Sequence, residues 1–382
     1  MPNPKRRRED PLDINTLLDA KRLLFPESWP LRFPLFLGDD SCIMNPLYRD
    51  MMRYRTGVQI LAATIAIEAD SPDILPRFPL KVEVPSLLTD FRNVVEIPFS
   101  GTSDGRIVIE NTRSQSVEYS FSGGTAFFRG PFCALEKKAS DIRYSLWGNQ
   151  GLLYRFALHL LEARHGLFSF HAAGLFDERN RRLYVIAGGA GSGKTVYLLS
   201  GIANGLKLFS TETVHFGFTK KGLTWFMGSL VDNIRLGTLI HDFPRFCPEG
   251  MAGESENEIW RKKIALDLTA HQTARESILK PRVVLIFPHI EKRRSGIVVA
   301  GMSDARTSAK AVFDNLSQKI AETVVLYDRL PVPGFDSASL ALGRLKASAS
   351  LVRHKSIERI VSVHSNPAEC WGNFLKDKEA CP

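Results

Sequence analysis

Cysteine is scarce. The chain has five in 382 residues, Cys42, Cys133, Cys247, Cys370 and Cys381, and no two stand at the spacing of a metal site or a redox pair. That excludes a disulfide framework and argues against zinc, and the thiols read as reduced, in a cytoplasmic setting. Long apolar runs are missing too. The longest, around Val58 to Ile67, is interrupted and falls short of the roughly 20 residues that cross a bilayer. The basic N-terminus has no apolar segment behind it, so the sequence carries neither a signal peptide nor a transmembrane helix, and no membrane partner is expected. With 44% apolar and 24% charged residues the composition excludes disorder and collagen. The length accommodates about two domains.

Lysine and arginine number 50 against 41 acids, a formal charge of +9 and a pI near 9.3. Such an excess brings nucleic acid to mind, but residues 1–150 sum to zero. The run Lys5-Arg6-Arg7-Arg8 is cancelled by Glu9, Asp10, Asp13 and Asp19, and residues 1–20 read as a solvated, flexible tail. No nucleic-acid recognition motif, zinc finger or interleaved aromatic platform is present. The whole excess lies beyond residue 150.

Residues 21–150 are punctuated by Pro26, Pro30, Pro34, Pro72, Pro76, Pro79 and Pro85, a spacing that favours strands and turns over long helices. Val94 to Phe99, Arg106 to Glu110, Ser116 to Phe121 and Thr125 to Phe128 alternate or are β-branched and aromatic, with Gly105 and Gly123-Gly124 at turns. They predict a meander of strands. No cluster in this half points to chemistry. From Leu152 the pattern changes: Leu152, Leu153, Phe156, Ala157, Leu160 and Leu161 form one apolar stripe on a helix that ends near Gly166. Leu167 to Leu175 and Leu183 to Ala187 read as strands, Asp177 to Arg182 as a turn and Val196 to Ala203 as a helix, an α/β pattern.

At the second strand-to-helix junction stands Gly188-Gly189-Ala190-Gly191-Ser192-Gly193-Lys194-Thr195, which fits the phosphate-binding pattern G-x-x-x-x-G-K-[ST]. Glycines let successive N–H groups turn onto phosphate oxygens at the positive end of the following helix. Lys194 suits the β and γ phosphates of ATP, and the Thr195 hydroxyl suits Mg2+. An apolar strand ending in an acid should complete the metal site. Two segments qualify: Leu206 to Glu212, soon after the loop, and Val324 to Asp328, far downstream.

The first of these belongs to a wider likeness. Phe168-Ser169-Phe170-His171-Ala172-Ala173-Gly174-Leu175, the glycine loop and Leu208-Phe209-Ser210-Thr211-Glu212 together resemble the HPr kinase/phosphorylase-like proteins. Asn233-Ile234-Arg235-Leu236-Gly237 looks like their short arginine-containing segment, Arg282 to Pro288 like a later core strand, and Thr323 to Asp336 like their terminal strand-and-helix portion. The resemblance covers roughly residues 165–350. It implies an α/β P-loop domain of the phosphoenolpyruvate-carboxykinase type and transfer of the γ-phosphoryl of Mg-ATP to a hydroxyl, often a serine. Relatives in that group also include kinases encoded beside peptide-biosynthesis genes. In this reading Glu212 takes the hydroxyl proton or helps hold Mg2+, and His171 stands at a strand end beside the phosphates. A departure is plain: family members carry two adjacent aspartates where this chain has Thr211-Glu212, and threonine cannot accept a proton at neutral pH.

Other residues have two readings each. His171 also fits a buried core histidine. Arg235 suits a bidentate phosphate clamp, and Arg261-Lys262-Lys263 either neutralises charge on a transferred group or lines a solvated face. Lys292-Arg293-Arg294 with Ser295-Gly296 reads as a hairpin turn between Val283–Phe287 and Ile297–Ala300. The stretch from Glu249 to Glu258 reads as a surface loop or a lid.

The expected architecture is therefore a tail over 1–20, a β-rich α+β domain over 21–150, a kinase-like nucleotide-binding domain over 151–350 and an extension over 351–382. The expected partners are ATP, Mg2+ and a hydroxyl acceptor in a protein, a precursor peptide or a metabolite, with self-association left open. The competing reading is a nucleotide-gated binding protein in which ATP organises a partner surface without transfer.

Overall fold

Six short strands make a first sheet: β1 (Tyr54–Ile60), β2 (Ala63–Ala69), β3 (Val94–Ile97), β4 (Gly105–Asn111), β5 (Glu118–Ser122) and β6 (Thr125–Gly130), in the order β3-β1-β2-β4-β6-β5. The structure is a computed structural model and describes residues 52–76, 91, 94–114, 116–139, 141–251, 255–302, 304–332, 334–369 and 371. The tail at 1–20, Cys42, Cys370 and Cys381 lie outside them. Strands β3 to β6 fall where alternation placed them, and β5 and β6 turn through Gly123 and Gly124 at φ 56° and 77°, the left-handed pair a tight hairpin requires. The interrupted apolar run from Val58 to Ile67 is itself a hairpin, folded at Leu61-Ala62. The sheet is not a meander, because β4 runs parallel to both β2 and β6. Alternation fixes strands and faces but leaves neighbours to long-range packing.

Two helices follow, α1 (Phe132–Lys138) and α2 (Leu152–His165). Helix α2 ends at Gly166, as its sequence suggests, and the structure shows that glycine as a left-handed C-cap at φ 59°. Ten of its fourteen residues are buried, and it packs on both β2 and the first strand of the second sheet. The single stripe read from sequence understates this, since a helix held between two sheets is covered on both sides. Gly105 permits the close approach: a Cβ there would meet Phe156 and Leu160 of α2 at 2.8 Å.

The second sheet gathers β7 (Leu167–Asp177), β8 (Arg182–Ala187), β9 (Lys207–Ser210), β10 (Thr213–Thr219) and β11 (Gly222–Phe226), with α3 (Lys194–Ala203) after β8. A separate pair, β12 (Val231–Arg235) and β13 (Lys263–Asp267), encloses α4 (Leu236–His241) and α5 (Glu256–Arg261). Then come β14 (Ser277–Leu279), β15 (Arg282–Ile290), β16 (Val298–Gly301), α6 (Ala305–Ala321), β17 (Val324–Leu326), β18 (Leu330–Val332), α7 (Ala338–Val352) and β19 (Ile357–Ser365). Nine strands join in the order β14-β11-β10-β7-β8-β15-β19-β16, with β9 also on β7, and β8, β15 and β19 run parallel. The architecture is mixed α/β. No helix among the described residues is long and apolar enough to cross a membrane.

Several expectations are corrected here. Residues 351–382 are not a mere extension, because β19 sits inside the sheet between β15 and β16. For the same reason Lys292 to Gly296 does not close a hairpin: the strands on either side of it run antiparallel, but β19 lies between them. Turn residues fix the reversal, not adjacency. Asp328 is no metal-bearing strand end. It follows Tyr327 in the turn of the β17–β18 pair, outside the large sheet, and Leu326 and Val332 of that pair pack with β1, β2, β4, β6 and α2. A boundary at residue 150 thus divides sequence patterns rather than cores. The stretch from Glu249 to Glu258 ends in α5, whose Ser255 and Glu258 form a capping box.

One polar network ties these layers together. Arg344 on α7 is fully buried and donates to Glu162 of α2 at 2.8 Å, to Asp336 at 2.7 Å and to Ser317 of α6 at 3.2 Å. Burial pushes the Glu162 carboxyl up to about 7 against the pull of Arg344, with the Asp336 charge adding to the rise.

Candidate functional site

The apolar strand β8 delivers the chain into Gly188-Gly189-Ala190-Gly191-Ser192-Gly193, and α3 begins at Lys194. Gly191 and Gly193 stand at φ 81° and 102°, closed to other residues without strain. Gly193 has a second reason to be glycine: a Cβ there would lie 2.2 Å from Ile290 on β15. The loop is thus wedged against the neighbouring parallel strand. Lys194 is largely buried and donates from Nζ to the carbonyls of Gly188 at 2.8 Å and Gly189 at 3.1 Å. Ser192 Oγ is buried without a hydrogen-bond partner.

Beside the loop, three acidic or basic side chains converge, two from strands and one from a bend. Glu212 lies in the bend between β9 and β10, and its carbonyl accepts from the Ala172 N–H, which fixes the bend on β7. Its carboxylate meets His171 Nε2 at 3.3 Å. Asp232, on β12, is buried, accepts from the Thr195 hydroxyl at 3.2 Å and presses against Glu212. Its Oδ1 is buried with no hydrogen-bond partner. The two carboxyls are driven apart. Burial works to raise Glu212, but the His171 hydrogen bond and the charges of Lys319, His171 and Lys194 outweigh it and hold the group well down. Burial and the adjoining Glu212 carboxylate push Asp232 up. Pairs pulled in opposite directions mark sites of chemistry.

Helix α6 supplies the remaining wall. Asn315 clasps the His171 backbone, accepting its N–H at 3.0 Å and donating to its carbonyl at 3.1 Å. One turn on, Gln318 Oε1 lies 2.9 Å from His171 Nδ1, and Lys319 is buried with its ammonium 5.9 Å from the Tyr154 ring centre. Spacing of three and four residues sets all three on one helical face. His171 is therefore held on both ring nitrogens and by its backbone, and the core-histidine reading gives way to a half-buried residue between the loop and Glu212.

Thr211 sits where the resembled family has an aspartate. It is buried, and its hydroxyl donates toward the carbonyls of Ser229 at 3.1 Å and Val231 at 2.8 Å. Those contacts hold the segment that leads to Asp232. Asp232, twenty-one residues after Thr211, is brought by β12 to the Thr195 hydroxyl.

Arg235 is on the same strand but in opposite phase to Asp232 and Ile234. It is exposed, donates to the Trp260 carbonyl, and pairs across the strands with Lys263. The structure does not bring Arg235 or the exposed Arg261, Lys262 and Lys263 to the carboxylates. Sequence reasoning missed Asp232, Asn315, Gln318 and Lys319. For Asp232 one signal was present, an acid in phase with the apolar Ile234 one residue before the quoted segment.

Among the described residues no three His, Cys, Asp or Glu side chains are grouped to hold a metal. Two carboxylates and a hydroxyl, all hard oxygen donors, with one carboxylate oxygen unpartnered, fit a cation that keeps waters and takes phosphate oxygens, the habit of Mg2+. Comparison with protein-family models and with curated proteins finds no match to the chain.

Proposed function

We propose that the protein is a P-loop phosphotransferase of the HPr-kinase-like, phosphoenolpyruvate-carboxykinase-type fold, moving the γ-phosphoryl of Mg-ATP to a hydroxyl. The observation that carries this reading is the Thr195-Asp232-Glu212 group set against Lys194 at the mouth of the glycine loop. Thr195, Asp232 and Glu212 would hold Mg2+, which neutralises charge on the phosphates. The loop N–H groups and Lys194 bind and orient the triphosphate. Glu212, half-buried where Asp232 is fully enclosed, is open to an acceptor. As the acceptor oxygen bonds to the γ-phosphorus and the β–γ bridge breaks, Glu212 takes the hydroxyl proton and ADP leaves. A weakly basic carboxylate suffices, because a loose transition state asks little of its base.

The test is label transfer from γ-labelled ATP. The protein is incubated with Mg2+ and with fractionated proteins, peptides and metabolites of its own cells, and acid-stable phosphate esters are counted. Incorporation abolished by chelator and by Lys194→Ala supports the transferase. ATP binding without incorporation in any fraction moves the reading to the nucleotide-gated binder.

Two variants separate structure from chemistry. Thr211→Val is expected to cost about 1 kcal/mol in denaturant unfolding, by removing the buried hydroxyl's hydrogen bond while the Ser229 and Val231 carbonyls keep the Thr211 N–H and the Ser229 hydroxyl as donors, and to leave transfer by the folded protein unchanged. Loss of transfer at full stability would return a chemical role to Thr211. Asp232→Asn is expected to abolish transfer yet stabilise the protein without nucleotide in alkaline solution. The folded Asp232 binds its proton above the unfolded value, so wild-type stability falls as pH rises through the folded value, whereas the amide variant is spared. Denaturant unfolding across a pH series checks this: the gap between variant and wild type must widen as pH rises.

A further inference from the structure

The carboxylates fix which way a nucleotide would lie. Glu212, Asp232 and His171 stand on the β7 and β9 side of the glycine loop, so the terminal phosphate belongs there and the nucleoside on the opposite flank. That flank is formed by β15 and β19, parallel to β8 and ending level with the loop. In open α/β sheets ligands bind outside the carboxyl ends of such strands. Ile290, at the end of β15, already touches the loop at Gly193.

At this strand end a rigid, exposed ring is on display. His289 is exposed and stacks on its cross-strand neighbour His364, with ring centres 4.6 Å apart and planes 16° off parallel. His364 is fixed beneath it: Nδ1 lies 2.5 Å from Glu291 Oε1 and Nε2 3.3 Å from Ser362 Oγ. Glu291 is held in turn by Arg294 at 2.6 Å. Nothing in the proposed transfer uses this network. Neighbouring strands lie about 4.8 Å apart, so the stacked pair stands one and two strands from the loop, within the length of a nucleotide.

We propose that the face of His289, braced by His364, is the platform on which the purine base of the bound nucleotide stacks. The inference rests on the nucleotide reading of the loop and adds the recognition of the base. Stacking of one base on an aromatic side chain is worth enough to change affinity about five- to 150-fold.

Isothermal titration of the full chain with Mg-ATP and with Mg-tripolyphosphate tests it. His289→Ala is expected to weaken ATP about tenfold or more and to leave tripolyphosphate unchanged, and His289→Phe to retain ATP affinity. Equal weakening of both ligands would make His289 a structural residue and overturn the proposal, as would unchanged ATP binding by His289→Ala. Wild-type protein that binds tripolyphosphate as tightly as ATP overturns the platform while the phosphate site stands. Wild-type protein that binds neither overturns both.

Discussion

Glu212→Gln is expected to lower phosphoryl transfer about 10²- to 10⁴-fold, the range for losing a positioned proton acceptor. The amide is nearly isosteric, so the bend on β7, held by the Glu212 carbonyl and the Ala172 N–H, survives. Two further readouts follow from the coupling of the acids. In the wild type Asp232 must shed a proton to receive Mg2+, because burial and the adjoining Glu212 charge raise it. Apparent Mg2+ affinity for the ATP-loaded protein therefore climbs with pH through that raised value. Removing the Glu212 charge lowers Asp232 toward the ordinary range and moves the climb to more acidic pH. A variant that keeps its transfer rate would remove Glu212 from the chemistry, and one that keeps the wild-type pH dependence would sever the two carboxyls. A nucleotide-gated binder loses little on this substitution.

Arg344→Met is expected to destabilise the fold by about 3–5 kcal/mol, because it leaves two carboxyls, one of them deeply buried, without their cation. The loss should depend on pH. Glu162 in the folded chain titrates near 7, above its unfolded value, so its contribution is fully present below about 4.5 and is lost as pH rises through 7. Without Arg344 the same group is raised further, and the penalty is largest in alkaline solution. Denaturant unfolding at pH 5.5 and 8 measures both. Arg344→Met combined with Glu162→Gln should recover much of the alkaline loss. A penalty that does not vary with pH would mean that Arg344 contributes packing rather than charge.

The legible parts of this fold are those written in local sequence. Alternation gave strands β3 to β6, the Gly166 stop gave the end of α2, and the apolar strand before Gly188 with the helix after Lys194 gave the loop. What stayed hidden depends on partners distant in the chain. Asp232 is one acid among 41 until β12 carries it to Thr195. Asn315, Gln318 and Lys319 occupy helix positions that alone say nothing of His171. The β15–β16 connection held every mark of a hairpin, and only an intruding strand from residues 357–365 shows otherwise.

That intruding strand also sets an order of events. During synthesis the ribosome releases β8, β15 and β16 long before β19, so in the sheet that shapes the glycine loop β15 and β16 stay unjoined until residues 357–365 have emerged. Until then β15 presents one apolar, unpaired flank to its surroundings, the feature that recruits chaperones or neighbouring chains. The second sheet is accordingly a late and non-local folder. A chain cut short before residue 357 has the complete phosphate-loop motif and all three site acids and bases, yet lacks the strand that closes the sheet behind them.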